Sequence, residues 1–307
     1  MQKIAVIGAW LMGHGIGQIF AVHGHDVTLV DLDEKILSSA TMGIRNNLEL
    51  MADHDFITPE EIDAALARVS IATDTEKGVD GADFVVEAVV ENLEVKQNIF
   101  KKLDQLCPTS TILASNTSVI SITEIARESV EKKRIVGTHF WNPPHLIPLV
   151  EVVPGAETMP ETVDATYDLL LSVGKHPVKV KKDVPGFVAN RLQHALWREA
   201  ISIVENDIAD AATVDECIKF GFGLRLPALG PMENSDMVGN DLVLAIHDYI
   251  LEHIESSPDP SPLLREKVAK GELGFKSGQG FQSWSEEEIE TSRKNLQHYL
   301  LKVVKDM

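Results

Sequence analysis

The sequence contains few cysteines and few basic residues, and each shortage excludes a class of protein. Only Cys107 and Cys217 occur in 307 residues, and neither has a second Cys or a His at the spacing of metal ligands. This excludes a disulfide framework, and we expect both thiols to be buried. Lys and Arg number 28 against 47 Asp and Glu, giving a formal net charge of −19. Such a charge argues against nucleic acid or an anionic membrane as partner.

The sequence also lacks a long hydrophobic run and a secretion signal. No apolar stretch approaches the roughly 20 residues that span a bilayer. The first residues enter a strand pattern directly, without the cleavage-site pattern of a signal peptide. We therefore predict a cytoplasmic protein without a membrane segment. Its 307 residues are long for one domain, so two domains are expected.

Residues 1–185 alternate short β-branched apolar runs with helical stretches, which is typical of a mostly parallel sheet covered by helices. The predicted strands are 3–7, 26–31, 69–72, 83–89, 111–115, 134–140, 149–153 and 177–181. The predicted helical or mixed stretches include 12–24, 33–52, 59–68, 93–106 and 120–129. The last three strands follow each other closely, which predicts a mixed sheet edge.

A break at Asp183-Val184-Pro185-Gly186 predicts a hinge, after which the pattern becomes almost wholly helical. Apolar residues recur there at spacings of three and four in 187–206, 237–256, 261–270 and 285–304. The predicted fold class is α/β, with a Rossmann-like doubly wound sheet followed by an all-α domain. We place the nucleotide-binding domain at 1–185 and the helical domain at 186–307.

The first strand leads into a turn typical of dinucleotide binding. Gly8 and Gly13 lie between a strand and a helical pattern, and Asp31 ends the second strand. Gly8 would make the tight turn, and Gly13 would let the helix pack on the strand. Asp31 would accept hydrogen bonds from the adenosine ribose and repel a 2′-phosphate, which predicts NAD rather than NADP. The alternatives are an ordinary strand-to-helix turn and a capping role for Asp31.

Trp10 stands between these glycines, where the backbone of a dinucleotide site must approach the pyrophosphate. Three interpretations are open. The indole is turned outward in a natural rearrangement, or the residue was substituted to alter cofactor binding, or the cofactor site has been lost.

Residues 134–153 carry the strongest catalytic signal. His139 closes one predicted strand and Glu151 lies in the next, with a proline-rich loop between them, so the two side chains can meet. A carboxylate on one imidazole nitrogen fixes the tautomer and leaves the other nitrogen as a base. This pair suits removal of a hydroxyl proton while hydride leaves the same carbon. The alternative is a structural histidine.

Six motifs in this order give the chain a resemblance to the 3-hydroxyacyl-CoA dehydrogenase family. They are VIGAWLMGHG (6–15), VVEAVVENLEVK (85–96), ASNTS (114–118), HFWNPP (139–144), KDVPGFVANRL (182–192) and GFKSGQGF (274–281). The resemblance covers essentially the whole chain and departs from the family at Trp10, where the family has glycine.

The resemblance implies roles for individual residues. It identifies His139 as general base, Glu151 as its orienting partner, Ser118 as a hydrogen-bonding partner of the substrate, and Asn190 as the residue that closes the site. The alternatives are a helix cap for Ser118 and a helix N-terminal polar residue for Asn190. NAD and a homodimer formed by the helical domain are also implied. The implied cofactor-binding residues are Gly8, Trp10, Leu11, Met12, Gly13, Asp31, Glu91, Lys96 and Asn116.

Two features of the sequence bear on the substrate. Family members that use acyl-CoA usually carry lysines in the insertion after the second strand, but residues 44–68 contain no lysine and only Arg45 and Arg68. On electrostatic grounds this is a poor cradle for CoA phosphates. Other segments look closer to relatives that oxidise free small molecules, such as L-gulonate, L-carnitine and pyridine-aldehyde dehydrogenases.

We therefore expect an NAD-dependent dehydrogenase acting at the C3 hydroxyl or keto group of a 3-hydroxyacyl-CoA or a related hydroxy acid. One alternative is a CoA-independent dehydrogenase, in which Trp141, Trp197 and Arg225 shape a small pocket. Core packing is the other interpretation of these tryptophans. The remaining alternative is a catalytically silent dimer in which Trp10 blocks NAD.

Overall fold

A computed structural model describes residues 1–305, which include an eight-stranded sheet. The strands are β1 (Lys3–Ile7), β2 (Asp26–Val30), β3 (Val69–Ala72), β4 (Phe84–Glu87), β5 (Ile112–Ser115), β6 (Ile135–Phe140), β7 (Leu149–Pro154) and β8 (His176–Lys179). Each coincides with a predicted strand to within three residues at either end.

The strand order is β3-β2-β1-β4-β5-β6-β7-β8. All neighbouring strands pair in parallel except β6 and β7, which are antiparallel. The first six strands thus have the doubly wound order, in which nucleotides bind at the carboxyl ends of the strands. The predicted fold class is confirmed, and so is the mixed sheet edge.

Helices cover this sheet and make up most of the second half of the chain. The helices before residue 185 are α1 (Leu11–Val22), α2 (Glu34–Asp53), α3 (Pro59–Leu66), α4 (Thr75–Val79), α5 (Leu93–Leu106), α6 (Ile122–Ile125) and α7 (Pro160–Ser172). The later ones are α8 (Ala189–Glu205), α9 (Ala211–Phe220), α10 (Pro231–Val238), α11 (Asn240–Ile250), α12 (Pro262–Ala269) and α13 (Glu286–Lys305).

The sheet is apolar on both faces because β1, β4 and β5 are buried almost throughout. One buried cluster includes Ile4, Val6 and Phe20, and a second includes Ala5, Val85 and Phe100. Alternate residues of one strand therefore serve opposite faces. The core lies in two layers, one on each side of the sheet.

The segment 120–129, predicted as helical or mixed, forms the single α-helical turn α6 and a short 3₁₀ turn. Two predictions on secondary structure and burial were wrong. The segment 237–256 is interrupted by Gly239, whose φ of 99° cannot continue a helix. Cys217 is exposed on α9, where no residue is buried, whereas Cys107 is buried as expected.

Contacts divide the chain into two compact units, residues 1–190 with 296–307 and residues 191–295. The C-terminal part of α13 therefore groups with the sheet, an association that sequence periodicity does not reveal. The predicted boundary at 185/186 stays a prediction. Within residues 1–305, no helix combines the length and the apolar character needed to cross a membrane.

Candidate active site

The predicted site residues follow neighbouring strands at one edge of the sheet. Ile7, Glu87, Ser115 and Gly137 lie in register across β1, β4, β5 and β6. These four strands are parallel, so the segments that follow them emerge at the same edge. The glycine turn, the Glu91 segment, the Ser118 loop and His139 are thereby brought together.

The turn after β1 can be built only with glycine at two positions. Gly8 has a φ of 93°, and a Cβ there would lie 2.7 Å from the carbonyl oxygen of Ala88. A Cβ on Gly13 would lie 1.7 Å from the carbonyl oxygen of Gly8, so the turn and α1 pack in direct contact. The Asp31 carboxylate accepts a hydrogen bond from the Ala9 N–H at 2.9 Å, which links the turn to the end of β2.

The N-terminus of α1 fits a dinucleotide pyrophosphate. Its first turn carries no acidic residue, and no side chain caps its free N–H groups, so an anion meets donors and a favourable helix dipole. Trp10 is the N-cap residue, with an extended backbone that an L-residue adopts without strain, and it is 67% exposed. Leu11 is also exposed, whereas Met12 packs against the core.

His139 and Glu151 form a buried hydrogen-bonded pair. They are directly opposite partners in the antiparallel β6–β7 register, and Nδ1 of His139 lies 2.8 Å from Oε2 of Glu151. Within residues 1–305, Nε2 of His139 has no hydrogen-bond partner in the protein. The carboxylate thus takes one ring nitrogen and leaves the other for a ligand.

The second oxygen of Glu151 holds the beginning of α8. Oε1 accepts hydrogen bonds from the N–H groups of Val188 at 2.9 Å and Ala189 at 3.1 Å. Burial raises the pKa of Glu151, but hydrogen bonds from His139 and these two N–H groups outweigh it, so the pKa is lowered overall. Glu151 is therefore a carboxylate at neutral pH.

Two aromatic rings fix the orientation of the His139 imidazole. The ring centroids of Trp141 and Phe187 lie 5.2 Å and 5.8 Å from that of His139. Phe187 is buried and has a φ of 50°, in the left-handed region that non-glycine residues rarely adopt. This strained residue at the entry to α8 lets a ring reach the histidine, and it is a contact that sequence motifs do not reveal.

Ser118 lies on the loop after β5 and is partly exposed. Its carbonyl oxygen accepts a hydrogen bond from Nδ2 of Asn190 at 2.9 Å. Its N–H donates to Oε1 of Glu91 at 2.8 Å. The cap of α6 is Ser121, not Ser118, so the hydroxyl of Ser118 is not used as a helix cap.

Lys96 and Asn116, both implied as cofactor-binding, make interactions within the protein. Lys96 is 1% exposed, and its Nζ lies 2.7 Å from Glu87 and 3.3 Å from Glu91. The Asn116 side chain accepts a hydrogen bond from the Phe140 N–H at 2.8 Å and so joins the ends of β5 and β6. Both residues therefore contribute to the shape of the site from within the protein, and Glu91 is the partly exposed member.

Sequence reasoning missed two carboxylates that organise the site. Glu87 is wholly buried at the end of β4, and a charge ending an apolar strand with a lysine nine residues later was an available signal. Asp183 accepts hydrogen bonds from the hydroxyls of Ser121 and Thr123 and from the N–H groups of Ile122 and Thr123. The predicted hinge thus begins at an anchored residue.

The loop between β6 and β7 buries two basic side chains. Lys175 donates hydrogen bonds to the carbonyl oxygens of Pro144 and Ile147, and burial lowers its pKa to about 8. Burial, with the nearby positive charge of Lys175, lowers the pKa of His145 to about 4. His145 is therefore neutral at physiological pH, and we assign it no proton transfer.

The other residues considered for substrate binding belong to both compact units. Arg45 lies 3.8 Å from Asp63, and Arg68 donates to the carbonyl oxygen of Ala64. Both arginines are thus engaged within the α2–α3 segment. Trp197 and Arg225 are exposed residues of the second unit.

Comparison with known proteins identifies, over nearly the whole chain, the family that the sequence motifs resemble. Residues 3–184 match the model of the 3-hydroxyacyl-CoA dehydrogenase NAD binding domain, and residues 186–284 match that of the C-terminal domain. Hydroxyacyl-coenzyme A dehydrogenase from the mitochondria of Sus scrofa is 39% identical over 92% of this chain and 90% of its own.

Two further similarities concern one pyridine dehydrogenase. The 5-formyl-3-hydroxy-2-methylpyridine 4-carboxylate 5-dehydrogenase of Mesorhizobium japonicum is 35% identical over 94% of this chain and 92% of its own. A crystal structure of an enzyme of that name, an NAD⁺-dependent dismutase, superposes with a TM-score of 0.92 at 34% identity, covering 99% of this chain and 97% of that one. The present chain belongs to the 3-hydroxyacyl-CoA dehydrogenase family and is an NAD-dependent oxidoreductase of that type.

Proposed function

We propose that the protein interconverts a hydroxyl and a keto group, at C3 of a 3-hydroxyacyl-CoA or a related 3-hydroxy acid, with His139 as general acid and base. The observation that carries this proposal is the 2.8 Å pair between His139 and Glu151 at the carboxyl edge of a dinucleotide-binding sheet. Gly8, Gly13 and Asp31 would hold NAD at the N-terminus of α1, and the nicotinamide would supply a hydride acceptor for oxidation and a hydride donor for reduction.

In oxidation, Nε2 of His139 takes the hydroxyl proton, and Glu151 stabilises the imidazolium through Nδ1. In reduction the same nitrogen donates that proton to the oxygen of the new alcohol. We propose that the Ser118 hydroxyl hydrogen-bonds the substrate oxygen, and Nδ2 of Asn190 donates to the Ser118 carbonyl oxygen at 2.9 Å. Trp141 and Phe187 keep the imidazole in one orientation throughout.

A second candidate is a CoA-independent dehydrogenase of a small hydroxy compound. It is supported by the α2–α3 segment, which has no lysine and whose Arg45 and Arg68 already have partners within the segment. The similarity to the pyridine dehydrogenase points the same way. A CoA phosphate would meet few free positive charges in this segment to offset its repulsion by a protein of net charge −19.

The two candidates are separated by measuring NADH oxidation with acetoacetyl-CoA, free acetoacetate and a panel of small keto and pyridine acids. If CoA is recognised, kcat/KM for acetoacetyl-CoA exceeds that for acetoacetate by about tenfold or more, since a tenfold ratio needs only ~1.4 kcal/mol of extra binding. Equal or higher kcat/KM on a free acid supports the CoA-independent candidate. No turnover of any of them would contradict both.

We further propose that the helical unit mediates homodimerisation. In α9, α10, α11 and α12 no residue is buried. Leu242, Ile246 and Ile250 of α11 recur at a spacing of four and are each exposed, at 52%, 48% and 42%. An apolar helix face of this kind on a surface marks an interaction site.

We expect sedimentation velocity to show a dimer for the wild-type protein and a monomer for Ile246→Glu, because a carboxylate buried at a symmetric interface is unpaired in both copies. The matched control is Leu171→Glu, which places the same charge on an exposed leucine of α7. The control should remain dimeric. A monomeric wild-type protein, or a dimeric Ile246→Glu variant, would contradict the proposed interface.

A further inference from the structure

An ion cluster formed by the buried Glu87 and Lys96 and the partly exposed Glu91 lies next to the Ser118 loop. Lys96 Nζ bridges Oε1 of Glu87 at 2.7 Å and Oε2 of Glu91 at 3.3 Å. Glu87 and Lys96 are at most 1% exposed. Buried charges are tolerated only when paired and fully hydrogen-bonded, so the positions of these groups are closely fixed.

The remaining hydrogen bonds of Glu87 connect the cluster to the strand ends. Its Oε2 accepts from the Ser115 hydroxyl at 2.6 Å, and its Oε1 also accepts from the Val89 N–H at 2.8 Å. Glu87 is thus fixed to β5 and to the segment after β4. Through Lys96, this fixed carboxylate determines where Glu91 lies.

Glu91 in turn holds the Ser118 loop by one oxygen. Its Oε1 accepts hydrogen bonds from the Thr117 hydroxyl at 2.6 Å, the Ser118 N–H at 2.8 Å and the Val119 N–H at 3.0 Å. Burial raises the pKa of Glu91, but the Thr117 hydroxyl, Lys96 and the two N–H groups together lower it. The acceptor therefore stays ionised at neutral pH.

The Thr117 side chain joins this carboxylate to the following turn. Its hydroxyl donates to Glu91 and accepts from the Ile120 N–H at 3.1 Å, so it spans both ends of the loop that carries Ser118. The residue is wholly buried and cannot touch substrate or cofactor. Its effect on the reaction must pass through the loop.

We propose that Thr117 is a positioning residue for the reaction, which fixes Ser118 by coupling the Glu87–Lys96–Glu91 cluster to the loop after β5. This rests on the proposed role of Ser118 toward the substrate oxygen. The same arrangement makes Lys96 a support for Glu91. Displacing a reacting group's hydrogen-bond partner by even ~1 Å can lower the rate by up to about 10²-fold.

The test compares Thr117→Val, which removes the hydroxyl and keeps the shape, with Thr117→Ser, which keeps the hydroxyl. We expect Val to lower kcat about tenfold on the best substrate while the Kd for NADH, measured by calorimetry, stays within about twofold of wild type. Ser should restore most of kcat. A Kd for NADH that rises as much as kcat/KM falls would overturn the proposal, as would a Ser variant no better than Val.

A readout independent of turnover is amide hydrogen exchange at Ser118 and Val119. We expect the Thr117→Val variant to exchange about fivefold or more faster at these two amides, because local opening becomes easier. The Thr117→Ser variant should exchange at a rate near that of the wild-type protein. Unchanged exchange in the Thr117→Val variant would overturn the proposal, whatever its kcat. Faster exchange with unchanged kcat supports the loop-fixing role of Thr117 and counts instead against the role proposed for Ser118 in the reaction.

Discussion

Replacing His139 by Gln should lower kcat by about 10² to 10⁴-fold, the usual contribution of a positioned general base. Gln can still hydrogen-bond Glu151, but it cannot take or return a proton at the substrate oxygen. Binding of NADH should be nearly unchanged, because Gln adds no charge and keeps a donor for the hydrogen bond to Glu151. Steady-state kinetics on the best substrate, with calorimetric titration of NADH, measure the two quantities separately.

Glu151→Gln is the companion variant, because it keeps the shape and removes the charge. We expect a lower kcat here too, since the amide stabilises imidazolium less than the carboxylate 2.8 Å from Nδ1 does. The exposed His253→Gln change in the second unit serves as control and should leave kcat at the wild-type value. A His139→Gln variant with full turnover would show that the pair is structural.

The lowered pKa of Glu151 determines how its contribution to folding stability changes with pH. Its folded-state pKa is lowered, so the stability it contributes is present above the unfolded-state pKa of about 4.3 and is lost as pH falls through the folded value. The Glu151→Gln variant lacks this contribution to stability. It therefore also lacks the part of the acid destabilisation that comes from protonation of Glu151.

Replacing Trp10 by Gly should tighten NADH binding by about tenfold or more, equal to ~1.4 kcal/mol. The indole stands at the N-cap of α1, next to the free N–H groups that a pyrophosphate must approach. Trp10 makes no side-chain cap hydrogen bond, and Gly is the better N-cap residue, so the melting temperature should not fall. Calorimetric titration of both proteins with NADH measures the effect.

Leu171→Ala is the control, because it removes an exposed apolar side chain from α7, outside the glycine turn. It should change the Kd for NADH by less than about twofold. Equal affinity of the wild-type protein and Trp10→Gly would show that the indole stands clear of the cofactor. Binding restored only by Trp10→Gly would show that the natural chain excludes it.

Much of the fold could be predicted from the sequence because its signals are local. The eight strands are apolar runs bounded by turn residues, and the Gly8–Gly13 turn needs a conformation that only glycine provides. The pairing of His139 with Glu151 followed from two adjacent strands joined by a loop. The interruption at Gly239 was missed because periodicity continues across a single glycine.

The burial of Lys96 and the contacts of Thr117 and Phe187 were decided by the tertiary structure. From the sequence alone, a lysine on a helix is expected to be exposed to solvent. Lys96 is buried because its partner, Glu87, ends a buried strand next to the helix. The bond from Val188 to Glu151 joins residues 37 positions apart, and that from Asn190 to Ser118 joins residues 72 apart.

The sequence by itself therefore determined the strands, the dinucleotide turn and the pairing of His139 with Glu151, since each depends on neighbours in the chain. The tertiary structure alone decided which polar groups are buried together and which atom remains free for a ligand. Hydrogen bonding and charge burial depend on distances between atoms remote in sequence, and only the packed chain fixes those distances.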